Sequence, residues 1–184
     1  MKTITLVTGN PYKLEELKKV FSSGLKLESR KLDLDEVQSL DLHKIVRHKL
    51  HQAFEVVNGP VIVEDVSAEL DALNGLPGPF IKFFEERLGK GALFKLAGET
   101  RVKIICSMGY FDGEHEYIVD GILEGRIVTP REGEGFGFDF VLIPDGYDKT
   151  MSELGLNIKN TISHRYNAAT LLSQKLTVLN VDKQ

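Results

Sequence analysis

Apolar residues recur at spacings of three and four through Leu42, Ile45, Val46, Leu50, Ala53, Phe54 and Val57. This is the period of a helix packed along one face. Asp41 is placed to cap its start, and Asn58-Gly59-Pro60 ends it. Val61-Ile62-Val63 follows as a short apolar run, the pattern of a strand buried on both faces, and leads into Glu64-Asp65. Upstream, Thr3 to Val7 reads as a strand, and Asn10-Pro11 opens a helix whose apolar face is Leu14, Leu17 and Phe21, with Gly24 as its stop. Leu25 to Leu32 is a second strand in which Leu25, Leu27 and Ser29 alternate with charged residues. Phe80, Ile81, Phe84 and Leu88 form the inward side of a helix from Pro79 to Leu88.

The second half changes period. Val102–Tyr110, Tyr117–Asp120 and Ile122–Val128 predict an antiparallel meander, with Asp112-Gly113 turning between the first two. Phe140 to Ile143 predicts a further strand, and Ser163 caps a last helix. These elements specify an α/β protein with a mixed sheet. No linker divides it, so a single domain over residues 1–184 is expected.

Composition narrows the function classes. Of 184 residues, 42% are hydrophobic and 27% charged, and 23 basic against 27 acidic residues give a net charge of −4. That balance argues against general binding to nucleic acid or to a membrane surface, both polyanionic. Cys106 is the single cysteine, which excludes an intrachain disulfide and fits a reducing compartment. The N-terminus lacks a signal-peptide pattern, and no apolar stretch reaches the ~18 residues of a membrane span. A cytoplasmic location is expected.

Neither a P-loop nor a complete Gly-x-Gly-x-x-Gly is present. Thr8-Gly9-Asn10-Pro11-Tyr12-Lys13 offers another phosphate device: a tight turn, a helix N-terminus with exposed N–H groups, and a cation one turn in. The same residues also describe a well-capped helix with a surface lysine. Glu64-Asp65, at the end of a buried strand, suit Mg²⁺, Asp65 above all, and Glu36 can reach the same crevice from the preceding loop. Glu36 equally reads as a solvated loop acid. The run Gly133-Glu134-Gly135-Phe136-Gly137-Phe138-Asp139 presents rings able to stack on a base, or tucks two phenylalanines into the core. Lys159-Asn160 and Ser163-His164-Arg165 gather donors near a helix start. Lys49 and Lys82 read either as ligand contacts or as surface.

Taken in order, Thr8-Gly9-Asn10-x-x-Lys13, Glu64-Asp65, Leu73 to Lys82, Phe136 to Asp139 and Lys159 to Arg165 resemble the inosine/xanthosine triphosphate pyrophosphatase family, from Thr8 to about Leu172. The resemblance implies an elongated mixed sheet flanked by helices, with two lobes and a central active-site cleft. It implies Mg²⁺ dependence, homodimers, and hydrolysis of non-canonical purine nucleoside triphosphates to the monophosphate and pyrophosphate. By the same resemblance, Thr8, Gly9, Asn10 and Lys13 bind the triphosphate. Glu36 and Asp65 hold the metal, and Asp65 is also the base. Lys49, Val66 and Lys82 contact the nucleotide. Phe136, Gly137, Phe138 and Asp139, with Lys159, His164 and Arg165, form the base pocket. Two positions depart from the family pattern. Val66 stands where the family has Ser or Thr, and Phe140 stands where it has Pro. Other nucleotide pyrophosphatases and non-catalytic nucleotide binders are the competing readings.

Overall fold

The computed structural model describes residues 3–21 and 25–181. Seven strands form one sheet in the order β2-β1-β3-β5-β6-β7, with β4 paired to β3. The strands are β1 (Thr3–Val7), β2 (Lys26–Arg30), β3 (Val61–Leu70), β4 (Pro77–Gly78), β5 (Thr100–Phe111), β6 (Glu116–Ile127) and β7 (Leu142–Pro144). The helices are α1 (Pro11–Val20), α2 (Leu42–Val57), α3 (Ile81–Leu88), α4 (Ala92–Ala97), α5 (Met151–Ile162) and α6 (His164–Val181). The chain divides into two compact units. The first runs to Asp65 and adds Cys106–Gly121 and the stretch from Arg165 onward; the second holds Val66–Ile105 and Ile122–His164.

In the first unit, β1 lies parallel to β2 (Thr3 opposite Lys26) and to β3 (Leu6 opposite Ile62). α2 lays Val46, Leu50 and Ala53 against Val61 and Val63 of β3, all buried, with Val7, Leu32, Leu34 and Phe54 around them. Its ends are those the sequence expects. Asp41 accepts the Lys44 N–H, and Asn58 takes the left-handed conformation at φ 51°. In the second unit, β4 and β7 run antiparallel to β3 and β6. A separate core joins Ala68, Leu70, Ile81, Leu93, Val102, Ile104, Ile127 and Leu142.

Several expectations are corrected. β3 does not stop at Glu64-Asp65 but continues to Leu70, because Ala68 and Leu70 bury themselves in the second core. Strands anticipated at 117–120 and 122–128 are one continuous β6. Phe140 ends a 3₁₀ turn, and β7 begins only at Leu142. Ser29 is exposed, leaving Leu27 as the buried residue of β2. Phe84 is exposed as well. α3 starts at Ile81, so its inner face falls on Ile81, Glu85 and Leu88, and Phe84 lies at the edge of that face, about 60° round from Ile81. Gly24, expected to stop α1, lies outside the described residues; the cap there is Phe21. α4 and α5 were not anticipated. α5 carries a capping box, in which the Thr150 hydroxyl accepts the Glu153 N–H and the Glu153 carboxylate accepts the Thr150 N–H.

Candidate active site

The candidate residues of the first unit gather where β1, α1, β3, α2 and α6 meet. After β1 the chain turns through Thr8 and Gly9. The Thr8 hydroxyl accepts the Asn10 N–H at 3.1 Å, and the Asn10 side chain accepts the Tyr12 N–H at 3.0 Å. Pro11 occupies the first helical position. This local network shapes the helix N-terminus toward which an anion is drawn. Lys13, one turn in, places its Nζ 2.7 Å from Glu64 Oε1.

Strand alternation explains how β3 serves two clusters at once. Successive side chains point to opposite faces, so Glu64 and Asp65 part company. Asp65 turns toward α2, where Lys49 Nζ stands 3.1 Å from its Oδ2 and 3.4 Å from Glu36 Oε1. Glu36 belongs to the extended stretch before α2. That stretch is pinned one residue earlier: Gln52 of α2 accepts the Asp35 N–H and donates to the Asp35 carbonyl, both at 3.0 Å. Burial pulls the Lys49 pKa down, but Asp65 and then Glu36 more than offset it, and the net shift is upward. Lys49 therefore remains an ammonium.

Among the described residues no group of three or more His, Cys, Asp or Glu is arranged as a metal cage. The donor set nevertheless fits Mg²⁺. Two carboxylates, Glu36 and Asp65, already converge on one cation, the Lys49 ammonium. Mg²⁺ characteristically takes one or two carboxylates and completes its shell with water and substrate phosphate.

Glu64 turns the other way and is buried with Arg165. Arg165 Nε reaches both carboxylate oxygens, at 3.1 and 2.8 Å, and its Nη1 donates to Glu16 at 2.9 Å. The Cys106 thiol adds a contact to Glu64 Oε2 at 3.4 Å. Burial alone would raise the Glu64 pKa, but the Arg165 guanidinium, then Lys13, hold it far below the usual carboxylate range. Burial and the neighbouring Glu64 charge push the Cys106 thiol well up. Arg165, expected at a base edge, thus sits with two of its nitrogens on buried and half-buried acids. The sequence paired Glu64 with Asp65 as acids suited to Mg²⁺; the structure turns Glu64 to the other face, onto Arg165 and Lys13. Glu16 was not singled out.

These shifts set an acid limit on stability. The Glu64 carboxyl has a lower pKa folded than unfolded, so its contribution is complete above the ordinary value of 4.5 and is lost as pH falls below it. The melting temperature of wild type should exceed that of Glu64→Gln at neutral pH, and the gap should narrow below pH 4.5. A gap independent of pH between 7 and 3 contradicts this.

The second unit holds the other candidates. Lys159, buried, places its Nζ 2.6 Å from Asp139 Oδ2 and 3.8 Å from the centre of the Phe136 ring. Asp139 Oδ2 also accepts the Phe136 N–H at 2.9 Å. The glycines of this loop are matched to that arrangement. A Cβ on Gly135 would meet Asp139 Oδ2 at 2.6 Å, and Gly137, at φ 59°, faces the Glu85 carboxylate. The rings of Phe138 and His164 lie 5.6 Å apart at 47°. Phe136 to Asp139, Lys159 and His164 are therefore drawn together as the sequence suggested. Val66 packs against the second core, which accounts for an apolar side chain there. Lys82 is exposed in the first turn of α3.

The Ham1 family model matches residues 4–175. The chain is 38% identical over 184 residues to an inosine triphosphate pyrophosphatase of Scheffersomyces stipitis, covering 91% of this chain and 94% of that protein. It is 34% identical over 177 residues to the protein of the same name from Schizosaccharomyces pombe, covering 94% of each. The solved structure of a HAM1 protein from Coxiella burnetii matches with a TM-score of 0.83 at 24% identity, over 96% of this chain and 99% of that one.

Proposed function

Since the chain belongs to the Ham1 family, we propose that it hydrolyses non-canonical purine nucleoside triphosphates (ITP, dITP and XTP) to the monophosphate and pyrophosphate, clearing deaminated purines from the nucleotide pool. The observation that carries the reading is the convergence of Glu36 and Asp65 on one cation, beside a helix N-terminus that carries Lys13. An acid pair, two lysines and the positive end of a helix dipole are what cleavage of a phosphoanhydride needs.

Mg²⁺ would be held by Glu36 and Asp65, and when bound it neutralises charge on the triphosphate. The protein's own groups do the rest. Lys13 and the α1 N-terminus, with Thr8, Gly9 and Asn10, take the polyphosphate. Lys49, held between the two acids, would contribute a further cation to the phosphates. Asp65 accepts the proton of the water whose oxygen bonds to the α-phosphorus as the α–β anhydride bond breaks and pyrophosphate leaves.

Base choice falls to the second unit. Phe138 supplies a stacking face. Lys159, steered by Asp139 and Phe136, donates to the O6 oxygen that hypoxanthine and xanthine share. Adenine carries an amine at that place and leaves the donor unmatched, which costs about 1–3 kcal/mol. His164 closes the same side. Arg165 supports the site from within the first unit through Glu64 and Glu16. The family resemblance also underlies our expectation of a homodimer in the cytoplasm, a setting that the buried thiol Cys106 suits. No helix among the described residues is long and apolar enough to cross a membrane.

The test is pyrophosphate release from ITP, XTP, ATP, GTP and a set of modified pyrimidine triphosphates, each with and without Mg²⁺. ITP and XTP should exceed ATP in kcat/KM by at least about tenfold, the factor one mismatched polar contact supplies; GTP, which shares the O6 acceptor, should also be poor, as the family resemblance implies, and chelation should stop the reaction. Preference for a pyrimidine substrate would transfer the site to a different pyrophosphatase activity. Binding without turnover would make the chain a nucleotide-binding protein.

A further inference from the structure

Glu64 carries none of the roles above, yet it is a buried acid with three side-chain partners. Its carboxylate is enclosed, with 2% of the side chain exposed, and it touches Lys13, Arg165 and Cys106. The contacts form a closed sequence of alternating charge. Lys13 pairs with Glu64, Glu64 with Arg165, and Arg165 with Glu16. Lys13 and Glu16 then stand one turn apart on α1, on the same side of the helix. Lys13 is the member that reaches solvent, with 27% of its side chain exposed against 13% or less for the others.

The geometry points to Glu64 as a positioning residue for triphosphate binding: its carboxylate fixes the Lys13 ammonium beside the Thr8–Lys13 turn, and Arg165 fixes the carboxylate. This rests on the reading that Lys13 meets the polyphosphate. A lysine stem is flexible, and an unheld ammonium ranges over a wide volume. One contact to Glu64 uses one of its three donors, so Nζ is located while two donors stay available for phosphate oxygens. Glu64 can share Lys13 with a ligand because it does not depend on it. Arg165 Nε addresses both of its oxygens and the Cys106 thiol lies against Oε2.

The experiment is a double-mutant cycle on the complete enzyme with ITP as substrate and IMP as product inhibitor. Glu64→Gln should raise the KM for ITP about tenfold, the scale of one charge-assisted hydrogen bond, with kcat within about threefold and the IMP inhibition constant unchanged. In a Lys13→Ala background the same substitution should no longer alter KM. Glu64→Asp keeps a charge within the cluster but shortens its reach to both Lys13 and Arg165 by one methylene; it should reproduce the KM rise, and it serves if Glu64→Gln does not fold. An equal KM effect with and without Lys13 would reduce Glu64 to a structural ion-pair partner. A fall in KM would mean that Glu64 withholds Lys13 from the ligand. Should Lys13→Ala alone leave the KM for ITP unchanged, the phosphate role of Lys13 fails, and this proposal with it.

Discussion

Asp65→Asn is expected to lower kcat for pyrophosphate release by about 10²–10⁴-fold, the range a positioned general base supplies. The fold should survive. The Asp65 side chain is 24% exposed, and Lys49 keeps Glu36 as a partner. Asparagine retains the shape and one acceptor oxygen but takes no proton at neutral pH. It also halves the formal charge of the acid pair, so the Mg²⁺ requirement should rise as well. The measurement is the rate at saturating ITP over a range of Mg²⁺, with circular dichroism to confirm folding. A rate within tenfold of wild type at saturating Mg²⁺ would show that Asp65 is not the base.

Arg165→Ala is expected to cost about 3–5 kcal/mol of stability, because removing one member of a buried ion pair strands the other. Here two acids lose their partner. Glu64 is left with Lys13, and Glu16 faces a cavity where the guanidinium stood. Arg165→Lys should recover part of the loss. An ammonium restores a charge but cannot address Glu64 and Glu16 together as the planar fork does. Urea unfolding of the three proteins decides the matter. A loss below about 1 kcal/mol for Arg165→Ala, the scale of an exposed pair, would mean that the cluster contributes little to the fold.

How far the sequence could be read depended on whether a feature was local. α2 announced itself fully, since its apolar stripe, Asp41 and Asn58 all lie within one segment. The turn at Asn10-Pro11 was legible for the same reason. Glu36, Lys49 and Asp65 were named one at a time. Their meeting depends on α2 packing over β3 and on Gln52 holding the 31–41 stretch, neither of which a linear pattern contains. For Arg165 the sequence named the donor but not its acid partners, because a cluster of donors near a helix start looks alike whether it faces a ligand or a buried acid. Deciding between these required Glu64, which lies 101 residues away in the chain. The length of β3 and the existence of α4 were lost to competing signals. Two acids in a row suggested an end where the strand runs on, and Gly91 and Gly98 bracket too few residues to show a helical period.

Lys49 gives Glu36 and Asp65 a reason to remain neighbours. Two carboxylates about 4 Å apart repel each other by roughly 1 kcal/mol even in water and by more under partial burial, and the ammonium cancels that repulsion from inside the chain. The acidic pair is therefore assembled at folding. Lys49 is thus the counter-ion of the pair, supplied by the chain itself. A divalent cation that took both carboxylates would have to displace it, so this ammonium would weaken the hold on such an ion while it stabilises the pair that would bind it.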